Sequence, residues 1–419
     1  MNKFFFILGR NSSLSLSEII SYLKSNSIDY TLEKVSSEVA VFLLADTFSS
    51  SVCITRLGGT IKIGEVIHEL SLEEGENKLY QILTSENLIR HLSFVGKGKI
   101  HIGISVYNLG CEIKYLTLLG KRIKDINLNL KKILSQKGFK VGYVRVKERF
   151  LTSVSVDKNR LLSRGFEIVL LLSSKNLIIG RTLTIQEYAK FSLRDYGRPF
   201  LDKRAGIIPP KLARIMINLA GEDKNSTILD PFCGSGTILQ EAIVLGYKNL
   251  IGSDISSKAI SDTEKNINWL WGYFPSLNAA SYNIKKIQTD VRYLTNRIQL
   301  RSIDAIITEP YLGPPLHSKP NIKQIEDILK NVSDLYLEAF KQFTKILKPD
   351  ARVVIIFPVF TINKDIYFLQ ILEKLISFGF TVTNNISETS ERNSIIVGRS
   401  ADYIQREVIC FSFKTTSDH

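Results

Sequence analysis

The chain has 419 residues, 44% hydrophobic and 23% charged, which excludes a disordered or collagen-like polymer and provides for two or three domains with cores of their own. Its 55 Lys and Arg against 41 Asp and Glu give a formal charge of +14. The cysteines Cys53, Cys111, Cys233 and Cys410 lack CxxC pairs or His partners at ligand spacing, which argues against a disulfide framework and a zinc site; no metal is expected.

Phe4–Leu8, the longest opening apolar run, predicts a strand. It is too short for a signal-peptide core or a membrane span, so a cytoplasmic protein without a membrane partner is expected. Ser15–Leu23 predicts a helix whose Ser15-Leu-Ser-Glu18 start fits a capping box. Tyr30–Lys34 and Val39–Leu44 predict strands, Asp46 is placed to cap a short helix to about Arg56, and Thr60–Ile67 returns as a strand. The resulting βαββαβ order over residues 1–75 is a ferredoxin-like pattern, a scaffold without chemistry of its own.

Residues 76–190 predict a second α+β segment. Its elements are a helix over Lys78–Leu92, a strand over Lys99–Tyr107, a long helix over Leu116–Leu134, and strands over Gly142–Val146, Glu167–Leu172 and Leu177–Thr184. The positive charge concentrates here. Residues 1–110 carry a net −1, whereas 111–165 hold 14 basic and 4 acidic side chains, a net +10. Lys121, Arg122, Lys131, Lys132, Arg145 and Lys147 form the centre of that block. A solvated helix face explains many such runs, but self-repulsion of this size favours a polyanionic partner. Periodicity then fails over 191–204, a linker by this reading, where Arg194, Asp195, Gly197, Arg198 and Pro199 gather. Arg194 and Arg198 join the candidate residues for that polyanionic partner.

From 205 to 419 the rhythm is that of an α/β domain. Pro209-Pro210 precedes a helix over Lys211–Leu219. Strands are predicted at Thr227–Leu229, Leu250–Ser253, Ala305–Thr308 and Val353–Phe357, with helices at Gly236–Leu245, Lys258–Trp271 and Leu335–Leu347. Such alternation predicts a parallel, Rossmann-like sheet with ligands at the carboxyl ends of its strands.

The sharpest motif is Thr227-Ile-Leu-Asp-Pro-Phe-Cys-Gly-Ser-Gly-Thr237. A strand ends in Asp230, and a turn with Gly234 and Gly236 lets a ligand approach the backbone. It is neither a Walker loop nor a GxGxxG turn, and its leading acid suits a ligand with an ammonium group or hydroxyls rather than a phosphate. The next strand ends in Asp254, suited to paired ribose hydroxyls, and the following one in Asp290, placed to meet an adenine amino group. Each acid alone could be a helix cap; three at successive strand ends form a pattern.

Together with the Pro310-Tyr311 strand exit, these motifs resemble the class I S-adenosylmethionine-dependent methyltransferases. More narrowly, the chain resembles the THUMP-containing RNA methyltransferases, closest to the tRNA (guanine-10-N2) methyltransferase group. Phe6-Ile-Leu-Gly-Arg10 with Leu14-Ser-Leu-Ser-Glu18, Arg194-Asp-Tyr-Gly-Arg-Pro199 and Gly206-Ile-Ile-Pro-Pro-Lys-Leu-Ala213 extend the resemblance to nearly the whole chain. It implies a Rossmann-like methyltransferase domain behind a ferredoxin-like and THUMP-like RNA-binding region, with S-adenosyl-L-methionine as cofactor and tRNA as partner. Asp230, Pro231, Cys233, Gly234, Gly236 and Thr237 would form the methionine-side turn. Asp254 with Ile255 would hold the ribose, Asp290 with Val291 the adenine, and Gly206 and Pro209 would line the cleft. Thr308, Glu309, Pro310 and Tyr311 would form the target-base pocket. Related eukaryotic enzymes require a small activating subunit, so one stays open as a partner.

The group usually reads Asp-Pro-Pro-Tyr at that exit, where this chain has Thr308-Glu309-Pro310-Tyr311. Either Glu309 replaces the Asp with one Pro lost, or Thr308 occupies the Asp position. The site has to accept N–H protons from a base amine whose lone pair is delocalised, and Tyr311 can stack on the extruded base. Guanine N2 in tRNA is the expected target. A DNA amino-methyltransferase acting on adenine N6 or cytosine N4, and a non-catalytic RNA-binding protein with a drifted pocket, stay open as alternatives.

Overall fold

The computed structural model describes residues 1–83, 99–145, 148–201, 208–316, 318–363, 365–383, 392–398 and 402–414. They fall into two compact units, one of residues 1–16 with 27–188 and the other of 17–26 with 189–419.

In the first unit the elements run β1 (Asn2–Leu8), α1 (Ser12–Ser25, which continues into the other unit), β2 (Tyr30–Val35), β3 (Val39–Leu44), α2 (Ser50–Arg56), β4 (Thr60–Ser71), α3 (Gly75–Leu83), β5 (Ile100–Asn108), α4 (Ile113–Gln136), β6 (Val141–Tyr143), α5 (Ser153–Lys158), β7 (Gly165–Leu172) and β8 (Asn176–Ile185). One eight-stranded sheet holds them in the order β2-β3-β1-β4-β8-β7-β5-β6. Its first four strands keep the ferredoxin-like order, with β1 antiparallel to both β3 and β4. Strand β4 runs past Ile67 to Ser71 and pairs antiparallel with β8, so the two predicted N-terminal segments share a sheet. The buried Lys62 ammonium on β4 lies 2.5 Å from Glu167 Oε1 on β7, and Ser105 and Thr182 also donate to that carboxylate. A buried charge so fully partnered pins the register of four strands.

The element starts differ from those expected. Asn11, whose side chain accepts from Leu14 N at 3.0 Å, starts α1 ahead of the expected Ser15, and Glu18 is buried on the helix rather than closing a capping box. Ser49, not Asp46, precedes α2; Asp46 lies on the surface, paired with the chain's amino group. Helix α4 buries Leu116, Ile123, Ile126, Leu130 and Leu134 on one stripe and leaves Lys121, Arg122, Lys131 and Lys132 exposed, as is Arg145 beyond it. Lys147 and the 84–92 part of the expected Lys78–Leu92 helix lie outside the described residues.

Besides the α1 residues 17–25, the second unit holds α6 (Tyr188–Tyr196), which occupies part of the expected linker and buries Phe191 and Arg194. Then follow α7 (Pro210–Ala220), β9 (Thr227–Asp230), α8 (Thr237–Leu245), β10 (Asn249–Asp254), α9 (Ser257–Tyr273), β11 (Asn283–Gln288), β12 (Ile303–Thr308), α10 (Ile322–Ile346), β13 (Leu347–Ile362), β14 (Asp365–Phe368), α11 (Leu372–Ser377), β15 (Phe380–Val382), β16 (Ile395–Val397) and β17 (Ile404–Phe413). The sheet order is β11-β10-β9-β12-β13-β17-β15, parallel from β11 to β13. Strand β17 inserts antiparallel between β13 and β15. The order reverses at β9, the switch point at which doubly wound sheets open a ligand crevice. Val332, Tyr336, Phe340 and Phe343 of α10 pack on Val353, Ile355 and Phe357 of β13, anchoring one wall of that crevice. Among the described residues, no helix is long and apolar enough to cross a membrane.

Candidate active site

A cavity of about 670 Å³ lies at the carboxyl ends of β9, β10 and β12, within the range of small-molecule sites. Nine of the residues expected from sequence line it: Pro231, Gly234, Asp254, Ile255, Asp290, Val291, Glu309, Pro310 and Tyr311.

The turn after β9 depends on its glycines. Gly234 and Gly236 hold φ of 51° and 81°, and a Cβ on Gly236 would come within 2.9 Å of Thr263. Thr263 secures the turn by donating to Gly234 O at 2.8 Å. Asp230, 1% exposed, sits under it and accepts at Oδ1 from Thr308 Oγ1 at 2.7 Å and Phe232 N at 3.2 Å. Burial pushes its carboxyl up to about 7, reinforced by the charges of Asp254 and Glu309 and opposed by its two hydrogen bonds.

Asp254 ends β10 and braces the turn, accepting Gly234 N at 3.0 Å with Oδ2 and Ser256 N at 2.9 Å with Oδ1. Asp290 caps the 3-10 turn Val291–Asn296 through Arg292 N at 2.9 Å, and the Arg292 side chain clamps both of its oxygens. That guanidinium holds the Asp290 carboxyl below the usual carboxylate range.

At the strand exit the two readings of Thr308-Glu309 separate. Thr308 is fully buried and directs its hydroxyl to Asp230, so it backs the site and does not line it. Glu309 lines the cavity, and Arg406 Nε donates to its Oε1 at 2.5 Å. Tyr311 is 53% exposed, while its backbone oxygen accepts from the buried Tyr336 hydroxyl at 3.2 Å.

Other expectations need correction. Asp230, Cys233, Gly236 and Thr237 shape the turn but do not line the cavity, Asp230 because it is buried beneath it, and neither does Pro209, which serves as N-cap of α7. Burial pushes the Cys233 thiol well above its ordinary value, with its sulfur turned toward Thr263. Gly206 lies outside the described residues. Arg194 and Arg198 are only 2% and 3% exposed, so neither can grip RNA as expected. Arg194 pairs with buried Glu241, which also holds Arg214 Nη2 at 2.7 Å, and Arg198 donates to Thr237 Oγ1 at 2.5 Å. Sequence reasoning missed Phe232 and Arg406 among the lining residues, and offered Arg292 only as a phosphate contact. Phe232 stood inside the motif already singled out, but no local pattern marks Arg406.

Residues 198–373 match the family described as UPF0020, RMKL-like, methyltransferase domain. A relative from Methanocaldococcus jannaschii, named tRNA (guanine(10)-N2)-dimethyltransferase, is 28% identical over 277 residues, 59% of this chain and 75% of that protein. Another from Methanothermococcus thermolithotrophicus, named probable tRNA (guanine(10)-N2)-dimethyltransferase, is 34% identical over 128 residues, 30% of this chain and 72% of that protein. The crystal structure of TrmN from Thermus thermophilus shares the fold, with a TM-score of 0.55 at 14% identity, covering 98% of this chain and 99% of that one.

Proposed function

The chain belongs to the family of the tRNA (guanine(10)-N2)-dimethyltransferases, with an RMKL-like methyltransferase domain over residues 198–373, and from that premise we propose that it is an S-adenosylmethionine-dependent methyltransferase acting on the exocyclic N2 of a guanosine in tRNA. The observation that carries this reading is one cavity joining the glycine turn, the strand-end acids Asp254 and Asp290, and the Glu309-Pro310-Tyr311 exit.

The residues fit the cofactor's chemistry. The open backbone at Gly234, where an added Cβ would meet nothing within 4 Å, leaves room for a ligand, and the two lining carboxylates supply acceptors of the kind that ribose hydroxyls and an amino group need. When bound, S-adenosylmethionine supplies a methyl group activated on a sulfonium. Asp254 would accept from the ribose hydroxyls, and Asp290, shared with Arg292, would serve the adenine. At the other end Glu309 accepts an N–H of the guanine amine, so that its lone pair can turn toward the methyl donor. Pro310 stiffens the exit, Tyr336 fixes the Tyr311 backbone, and the exposed Tyr311 ring offers a surface for the extruded base. The arrangement calls for positioning and acceptors, and most of the acceleration would come from orientation.

The first unit would serve as the RNA-binding, THUMP-like part, its grip carried by the exposed Lys121, Arg122, Lys131 and Lys132 of α4 with Arg145. Such side chains read phosphate and shape rather than sequence, which suits a folded tRNA in the cytoplasm. The test is methyl transfer by the purified chain to unmodified tRNA, read by nucleoside mass spectrometry. N2-methylguanosine or N2,N2-dimethylguanosine is the expected product, and turnover by the chain alone also shows that no activating subunit is needed. Transfer to duplex DNA in preference to tRNA would overturn the assignment.

A further inference from the structure

The unit containing the cavity also holds a guanidinium with an unanswered edge. Arg198 is 3% exposed, and its Nη1 donates to Thr237 Oγ1 at 2.5 Å. Its Nε and Nη2 are buried and meet no acceptor among the described residues. Those two nitrogens form one side of the planar guanidinium, the fork that takes a carboxylate through two parallel hydrogen bonds. A buried donor pair on a charged group is costly to leave open, and natural structures seldom leave one without reason.

The location narrows the missing acceptor. Thr237 is the first residue of α8, directly after the glycine turn. Asn266 ties the segment beyond Arg198 to the same turn. Its side chain accepts from Phe200 N at 3.0 Å and donates to Phe200 O and Ser235 O, both at 2.9 Å. Arg198 is thus fixed against the glycine turn, behind the residues that line the cavity, and the resemblance implies that the amino-acid end of the cofactor meets that turn. A cation at a helix N-terminus opposes the helix dipole, and an anion seated between them would relieve both. No described carboxylate does so fully: burial pulls the guanidinium down to about 10 despite the charges of Asp195 and Glu241.

We propose that the Nε–Nη2 edge of Arg198 is the seat of the α-carboxylate of the cofactor's amino-acid tail, with Thr237 holding the guanidinium in position. The inference rests on the S-adenosylmethionine reading. It makes Arg198 a binding residue for one end of one ligand, not a general prop of the domain.

The test compares two ligands by calorimetry: S-adenosylhomocysteine, which carries the amino-acid tail, and methylthioadenosine, which lacks it. Arg198→Gln should weaken S-adenosylhomocysteine roughly 10- to 100-fold while changing methylthioadenosine less than about 3-fold. Arg198→Lys keeps the charge but loses the fork. It should fall between wild type and Gln, and it gives the same comparison should the Gln variant fail to fold. Equal losses for both ligands, or no loss for either, would overturn the proposal, because Arg198 would then be structural. Wild-type protein that binds neither compound removes the cofactor reading and this inference with it, an outcome distinct from a wild type that binds both while the variants show no difference between them.

Discussion

Asp230 offers the most quantitative test of the site, through Asp230→Asn. The native state holds this proton to about pH 7, whereas an unfolded aspartate releases it near 3.8. Between those values the folded chain binds more protons than the unfolded one, so stability falls as pH rises and the full cost is present above about pH 7. At 1.36 kcal/mol per pH unit the ceiling is about 4 kcal/mol, and relaxation around a buried carboxylate should reduce it to about 2 kcal/mol. Asparagine is nearly isosteric, and its Oδ1 can still accept from Thr308 and from Phe232 N. Asp230→Asn should therefore be more stable than wild type at about pH 8, with the gap shrinking steadily on acidification and closing only below about pH 4, where the unfolded aspartate also holds its proton. Thermal unfolding by calorimetry across that range reads the gap directly. A variant destabilised equally at every pH would refute the reasoning, since Asp230 would then be a structural acceptor and not a strained acid.

Glu309→Gln should lower kcat about 100-fold while S-adenosylhomocysteine affinity by calorimetry changes less than about twofold, because under the proposed function the lost charge is the one that would face the base amine. Arg406→Leu removes the cation beside Glu309, whose side chain is only 11% exposed. Its kcat should drop, since the carboxylate loses the donor that holds it in place. Changing Lys121, Lys131 and Lys132 to Gln should reduce the slope of log affinity for tRNA against log salt by about one for each ammonium taken away from a phosphate, with S-adenosylhomocysteine binding unchanged.

Much of the site was legible because parallel β/α units deliver the carboxyl ends of their strands in sequence order. The Asp230 turn, Asp254, Asp290 and the Glu309 exit could each be read locally for that reason. Arg406 could not. It reaches Glu309 from 97 residues downstream because β17 runs antiparallel to β13, placing Arg406 opposite Pro358. No local motif encodes that pairing. Arg194 and Arg198 misled in the opposite way, since charge in an aperiodic stretch suggests surface. Glu241, the buried carboxylate that takes Arg194 inside, lies on α8, 47 residues away.

The departure from Asp-Pro-Pro-Tyr is decided by geometry that the letters alone leave open. Side chains alternate along an extended segment, so neighbours do not share a face. With Thr308 turned to Asp230 on β9, Glu309 turns to the cavity. Restoring the usual acid with Thr308→Asp should therefore fail as a gain of function. The new carboxylate would lie against a buried one already pushed up to about 7, and two such groups cannot both ionise. The variant should lose about 2–4 kcal/mol at pH 8, recover as acidification lets the pair hold protons, and recover at pH 8 when combined with Asp230→Asn. Calorimetric unfolding of the single and double variants at both pH values reads this. A Thr308→Asp protein as stable as wild type at pH 8, with higher methyl-transfer activity, would mean that position 308 reaches the base and that Glu309 has been given the wrong role.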